Sequence, residues 1–436
     1  MSLALDKCHK RWYELKHIPV YDDLWNAVAN GIRFPLVTAG RRSGKTEKAK
    51  RFIAKQAMKN PNETYFVAAP TREQAKKIFW KDLKLLTFSP THARQPSETE
   101  LIIYLPNGTE IHVLGLDKPQ RIEGKNWTGG VIDEIADVKG EAVNANIMPA
   151  LDTFDPSRPD YKVWCWFTGV PDGLNHYYDM CQKAETGETT DSKVFYWKSA
   201  EVLAPDVIEA AKKRLSKMEF KQEYEASFET ATGRVYSDYS KLNYTSEEIK
   251  PHEQLCWMHD QNYTPLSSAV GVRRGDSLDE LYLLDEIVLE SAVSRQSAME
   301  FVDKFKDHDN KHVLIYGDPA GKAGEKHSQE SAYTQIEEVL RLNGWRWTRR
   351  LKNAHPPIVD RQNDVRAMIQ NAAGEVRLFV NTSKAPTVHK GLATTTLKKG
   401  STFQEEESYG QHITTAIGYM VNYEYSRNKP FIGRLK

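Results

Sequence analysis

Cysteine is scarce in this chain. Four residues, Cys8, Cys165, Cys181 and Cys256, are scattered over 436 positions with no Cys-x-x-Cys pair. That excludes a disulfide framework or a zinc ribbon and fits a reducing, intracellular setting. Long apolar runs are missing as well. The opening Met1-Ser2-Leu3-Ala4-Leu5-Asp6-Lys7 lacks the apolar stretch of a secretion signal. No later segment approaches the roughly 18 apolar residues of a membrane span, so a soluble protein without membrane contact is expected. Neither sign of charge dominates: 60 Lys and Arg face 59 Asp and Glu, a net of +1. Any basic surface for nucleic acid must therefore be local. Fixed-period repeats and low-complexity segments are absent too, and the length suffices for two or three compact domains.

What is present begins with Ala39-Gly40-Arg41-Arg42-Ser43-Gly44-Lys45-Thr46. Phe34 to Thr38 before it reads as a strand with an edge-tolerated proline, and Ala49, Phe52, Ile53 and Ala57 after it recur at helical spacing. Strand, glycine loop, Lys-Thr and helix form a phosphate loop, although Ala39 stands where the usual pattern has its first glycine. Backbone N–H groups from Gly40 to Gly44 would cradle the phosphates of ATP. Lys45 would reach the β and γ groups, and the Thr46 hydroxyl would ligate Mg2+. Gly130-Val131-Ile132-Asp133-Glu134 supplies the acidic strand end such a site needs, with Asp133 on the metal and Glu134 as base for water. The alternative is an exposed Asp-Glu turn. Gly129 and Gly130 stand where Val or Ile is usual.

Around these motifs, strand-like runs at 64–69, 100–105, 110–114 and 163–167 alternate with amphipathic segments, predicting an α/β sheet domain with a Pro106-Asn107-Gly108 hairpin. Ala69-Pro70-Thr71 reads as a loop beside nucleic acid, or as an ordinary turn. Phe167-Thr168-Gly169-Val170-Pro171 offers a hydroxyl to sense the γ-phosphate. Arg41, Arg42 and Arg121 are candidates to neutralise transition-state charge, or are surface salt-bridge residues. An arginine acting in trans would imply a ring. One helix is expected over about 205–228, then a linker over 229–250. The second unit should contain strands at 267–272, 281–289, 313–316 and 376–380, with helices near 296–306, 330–342 and 412–425.

With these motifs in place, the chain resembles the large terminase subunits of tailed bacteriophages. The resemblance rests on residues 39–46, Ala-Pro-Thr at 69–71, Arg121 upstream of Val-Ile-Asp-Glu at 131–134, Thr-Gly-Val-Pro at 168–171, and Phe220 to Phe228. It continues through the second domain. It implies a P-loop (ASCE-type) ATPase domain at 1–228 with a mostly parallel sheet, and an RNase H-like α/β nuclease domain at 251–436. It also implies Thr168 and Gly169 as the coupling motif and Arg121 offered to a neighbouring subunit. The family often places an adenine-contacting glutamine where Pro19 to Trp25 stand here, and none is present.

Asp260 is read as leading through Gln261 to Pro265 into a strand and Asp318 as following the strand Val313 to Gly317; for the nuclease, the resemblance implies both as ligands of Mg2+ or Mn2+, with two ions cutting DNA between them. The family's third acid stands just after a histidine at the start of the closing helix. This chain reads Gln411-His412-Ile413-Thr414-Thr415, with Thr415 in the acid's place. The site would then bind one ion weakly, use His412 as a nitrogen ligand, or borrow Glu286 or one of Glu405 to Glu407. Weak cleavage preferring Mn2+ is expected. Arg72, Lys76, Lys77, Lys398 and Lys399 are candidate phosphate contacts, equally explained as solvated helix faces. The basic tail from Arg427 to Lys436 could be a docking peptide or a disordered terminus. Implied partners are double-stranded DNA, the portal protein of the prohead and the small terminase subunit. The chain would act as a homo-oligomeric ring when assembled and be a monomer in solution, in the host cytoplasm and at the portal vertex. The alternative is a helicase-like or repair ATPase with a degenerate RNase H-like domain.

Overall fold

The computed structural model describes residues 10–87, 94–152, 158, 161–228, 233–260, 266–290, 292–319, 331–399 and 401–426. Gln261 to Pro265, Ala320-Gly321 and the Arg427 to Lys436 tail lie outside them. Two compact units result: Met1–Ile208 with Lys221–Glu229, and Glu209–Phe220 with Thr230–Lys436. Among the described residues no helix is long and apolar enough to cross a membrane, and Cys165, Cys181 and Cys256 are buried free thiols.

The first unit is built on seven strands: β1 (Phe34–Ala39), β2 (Thr64–Ala69), β3 (Ile102–Tyr104), β4 (Glu110–Gly115), β5 (Gly129–Ile132), β6 (Trp164–Gly169) and β7 (Ser192–Trp197). Their order is β3-β4-β2-β5-β6-β1-β7. Every pairing is parallel except the β3–β4 hairpin. Fully buried strands such as β1 read as continuous apolar runs because both faces are covered. Pro35 is not on an edge, contrary to the sequence reading. β1 has a neighbour on each side, and the proline is accommodated because registered pairing with β6 begins only at Leu36. The two glycines of β5 have a steric cause. A Cβ on Gly129 would meet the Trp164 ring at 2.1 Å, and one on Gly130 the Phe66 ring at 2.2 Å. Aromatic rings from the flanking strands occupy the space that Val or Ile fills elsewhere. One face of the sheet packs on Phe52 of the helix Lys45–Lys59, stacked on Trp166 with centroids 4.2 Å apart.

β8 (Tyr244–Thr245), β9 (Leu255–Asp260), β10 (Leu266–Arg274), β11 (Glu280–Leu289), β12 (His312–Gly317), β13 (Arg346–Arg349) and β14 (Leu378–Asn381) form the second sheet. Its order is β13-β12-β9-β10-β11-β14-β8. β9, β10 and β11 are an antiparallel meander, and β12 and β13 join β9 in parallel. That is the RNase H-like arrangement, with helices over both faces. Trp257 of β9 stacks on Phe301 at 4.1 Å on one side, and the closing helix Tyr409–Glu424 covers the other with Ile413, Ile417 and Met420.

Three local expectations differ from what is observed. The helix expected over 205–228 is two, Pro205–Arg214 and Lys217–Glu225. Buried Ser216 interrupts them, its Oγ accepting the Glu219 N–H as an N-cap. Residues 234–245, read as linker, supply Val235, Tyr236 and Tyr239 to the second core and β8 to its sheet. Asp260 does not lead into a strand; it ends one, β9, in the middle of the sheet.

Candidate nucleotide and metal sites

The loop after β1 is held from several sides. The Tyr21 hydroxyl and the Trp197 indole both donate to the Ser43 carbonyl, at 3.0 and 3.2 Å. The Ser199 hydroxyl donates to the Arg41 carbonyl at 2.8 Å. A Cβ on Gly40 would lie 2.3 Å from Ser199 Oγ, so only glycine lets the chain pass. Gly44 has φ +88 and turns the loop into the helix from Lys45, leaving that helix's first N–H groups open for phosphate. Arg41 is claimed by Glu223, with Nε 2.6 Å from the carboxylate. Arg42 has φ +58 and stays exposed, with no ion pair among the described residues. Backbone strain there holds an arginine outward at the mouth of the loop.

β6 lies between β1 and β5, which sets what meets the loop. Asp133 follows β5, is 1% exposed, and accepts from the Thr46 hydroxyl at 2.7 Å on one oxygen and from the Thr168 hydroxyl on the other. Thr168 therefore reaches the Asp133 carboxylate rather than open space. Glu134 has φ +53, a left-handed turn that swings it off the strand, and its carboxylate lies 3.8 Å from Lys45 Nζ. Burial and nearby Asp133 and Asp137 raise its pKa against the pull of Lys45. Burial likewise raises that of Glu223, opposed by Arg41 and Lys45.

Other first-unit candidates lie apart from this cluster. Arg121 is exposed on the short turn Pro119–Ile122 beyond β4. Thr71 caps a short helix through a reciprocal pair with Gln74. Arg72 spends its guanidinium on the Thr99 carbonyl, while Lys76 and Lys77 are exposed.

In the second unit, β9 and β12 run side by side with His259 opposite Gly317. This register brings Asp260 and Asp318 out together at the carboxyl ends of adjacent parallel strands. A cleft of about 570 Å³ opens beside Asp260, lined also by His412, Thr415, Glu405, Lys398 and Arg361. His412 Nδ1 is 3.1 Å from Asp260, which raises the imidazole's pKa against burial. Asp318 has His355 at 3.4 Å, and His355 Nδ1 meets the Tyr419 hydroxyl at 3.2 Å. Thr415 accepts from Gln411 at 2.9 Å, and the same amide donates to Glu405, also at 2.9 Å.

The two strand-end carboxylates suit a hard divalent cation, but among the described residues no group of three His, Cys, Asp or Glu is assembled to hold one. Glu286 is no substitute: its two oxygens accept from the Thr387 and Val388 N–H groups, capping the helix Pro386–Thr394. Of the lysine pair, Lys398 faces the cleft and Lys399 is exposed without lining it. Sequence reasoning missed Tyr21, Trp197 and Glu223 around the loop, and His355, Tyr419 and Arg361 around the cleft. None carries a local motif, and only the fold brings them in.

Comparison with known proteins gives consistent likenesses. Residues 36–239 match the family model described as terminase large subunit, T4likevirus-type, N-terminal. The large terminase subunit of Escherichia phage T5 is 23% identical over 300 residues, covering 63% of this chain and 64% of that protein. The matched stretch is thus under two thirds of that relative's length. Among solved structures, the large terminase of the thermophilic bacteriophage D6E superposes with a TM-score of 0.58 at 14% identity, over 93% of this chain and 98% of that one. Its complex with ADP gives 0.57 at 14% identity, over 93% and 99%. At such identity the structural likeness is one of fold.

Proposed function

We infer that this chain is a phage large terminase subunit, a motor that hydrolyses ATP in its first unit to drive double-stranded DNA into a prohead and cuts concatemeric DNA with its second. The observation that carries the reading is Asp133, buried and gripped by Thr46 from the phosphate loop and by Thr168 from β6. A plain nucleotide-binding turn needs no third strand tied to its metal-ligand carboxylate. A motor does, because loss of phosphate has to be felt elsewhere in the protein.

Thr46 and Asp133 would hold Mg2+, which when bound draws charge from the β and γ oxygens of ATP. Lys45 would neutralise the same phosphates. Glu134, with its proton affinity raised, accepts the proton of the attacking water, and Lys45 holds its carboxylate in place until nucleotide arrives. Arg42, exposed at the loop mouth, is free to meet charge building on the γ group; Arg41 is occupied with Glu223. Arg121, exposed on the turn Pro119–Ile122, serves a neighbouring subunit. The active form is accordingly a homo-oligomeric ring, with a monomer in solution carrying incomplete sites. The portal protein, the small terminase subunit and the DNA are the partners, and the host cytoplasm and portal vertex the setting.

In the second unit Asp260 and Asp318 would hold Mg2+ or Mn2+ for endonucleolytic cutting. With His412 drawn to Asp260 and Thr415 in place of an acid, cutting is weak and favours Mn2+. Packaging of DNA into purified proheads with ATP tests the motor: nuclease-protected DNA is expected with the wild type and none with Lys45→Ala or Glu134→Ala. Strand separation without protection would instead support the helicase-like reading.

A further inference from the structure

One charge in the cleft of the second unit is not used by the reading above. Arg361, in the helix Ile358–Ile369, lines that cleft with 7% of its surface exposed. Its Nη2 donates only weakly, to the Thr415 hydroxyl at 3.5 Å, and its buried Nε has no hydrogen-bond partner. The guanidinium lies over the Tyr419 ring, 5.2 Å from the centroid, and among the described residues no carboxylate pairs with it. Glu405 is taken by Gln362 and Gln411, and Glu407 stays exposed on the rim. A guanidinium taken out of water without an anion is costly, and this one opens onto a cavity.

Threonine at position 415 keeps it that way. A carboxylate there would sit within ion-pair distance of Arg361 and neutralise it; the hydroxyl cannot. We propose that Arg361 binds the phosphodiester oxygens of DNA in this cleft, seating the backbone beside Asp260 and Asp318 and supplying positive charge that a second divalent ion supplies in an all-carboxylate site. The proposal rests on the second unit being a DNA nuclease, and its test is chosen to separate the two.

Binding of a fluorescein-labelled DNA duplex to the full chain is measured in EDTA across a salt series, so that no cleavage is required. Arg361→Gln is expected to lower affinity about tenfold and to reduce the slope of log K against log salt by about 0.9, the signature of one lost phosphate contact. Arg361→Lys keeps the slope. Thr415→Asp, which occupies the guanidinium, lowers it as Arg361→Gln does. Melting curves restrict the comparison to folded variants. An unchanged slope in Arg361→Gln, or equal loss in Arg361→Lys and Arg361→Gln, overturns the proposal. Plasmid cutting with Mn2+ by the wild type and by Asp260→Asn is run separately. If the wild type does not cut, the nuclease reading fails while the salt slopes still decide the role of Arg361.

Discussion

Replacing Thr168 by valine removes one hydroxyl and keeps the shape of the side chain, which makes it the sharpest probe of the proposed ATPase site. Thr168 is fully buried, and its hydroxyl donates to one oxygen of Asp133, whose other oxygen takes the Thr46 hydroxyl. The variant leaves half of a buried carboxylate without its donor. A hydrogen bond to a charged group contributes about 1.5–3 kcal/mol, so the first unit should lose stability of that order. Thr168 stands behind Asp133 rather than on the nucleotide, so the KM for ATP should change little. If the lost interaction is needed when charge shifts off the γ group, kcat falls by about 10- to 100-fold. Thr46→Val removes the other hydroxyl, the one proposed to hold Mg2+, so it should raise the KM for MgATP as well. Thermal melting and steady-state ATP hydrolysis with and without DNA measure both effects. Should Thr168→Val melt and turn over like the wild type, the bond to Asp133 is idle and the coupling role of β6 is refuted.

Three further outcomes follow from geometry elsewhere. Arg11 forks onto both oxygens of Glu47 at 2.5 and 2.7 Å and also bonds Asp82 at 3.1 Å, all partly buried; Arg11→Ala leaves Glu47 with Arg51 and Asp82 with Lys50, so it should cost about 1.5–3 kcal/mol in chemical denaturation, the loss of hydrogen bonds to charged groups rather than of a whole ion pair. Burial lowers the pKa of His112 against its bond to Glu110, and that of His176 likewise. Both bind protons less readily when folded than when unfolded, so their contribution is full above pH 6.5 and declines below it. His112→Gln should therefore show a smaller fall in melting temperature between pH 7 and pH 5.5 than the wild type does, and an equal fall would contradict the assignment. Glu286→Gln should lower stability by about 1–2 kcal/mol through the weakened cap on Pro386–Thr394 while plasmid cutting persists; lost cutting with intact stability would return Glu286 to the metal site.

How much of this could be seen in the sequence depends on how local the chemistry is. The phosphate loop was legible because its donors are consecutive: eight residues carry the turn, the lysine and the hydroxyl, and the flanking strand and helix are long and regular. Asp133 and Glu134 were legible as an acidic strand end. Their link to Thr168 was not, since it exists only because β6 inserts between β1 and β5. Tyr21, Trp197 and Glu223 brace the loop from distant parts of the chain, and nothing near them in sequence marks the role.

The second unit was harder for a reason visible in its helices. Strand β9 is buried along its whole length, so Leu255 to His259 show no alternation, and Asp260 was read as preceding a strand rather than ending one. The helix Ile358–Ile369 went unseen because Arg361, Gln362, Asn363, Asp364 and Arg366 are all buried, erasing the apolar stripe by which helices are recognised. Burying that many polar groups is unfavourable unless each has work to do. Gln362 holds Glu405, Asn363 accepts from Arg366, and Asp364 holds Asn422. Arg361 alone in this set lacks an anion or a strong acceptor. The same feature that hid the helix from a periodicity reading thus singles out, once the fold is known, the residue whose partner has yet to arrive.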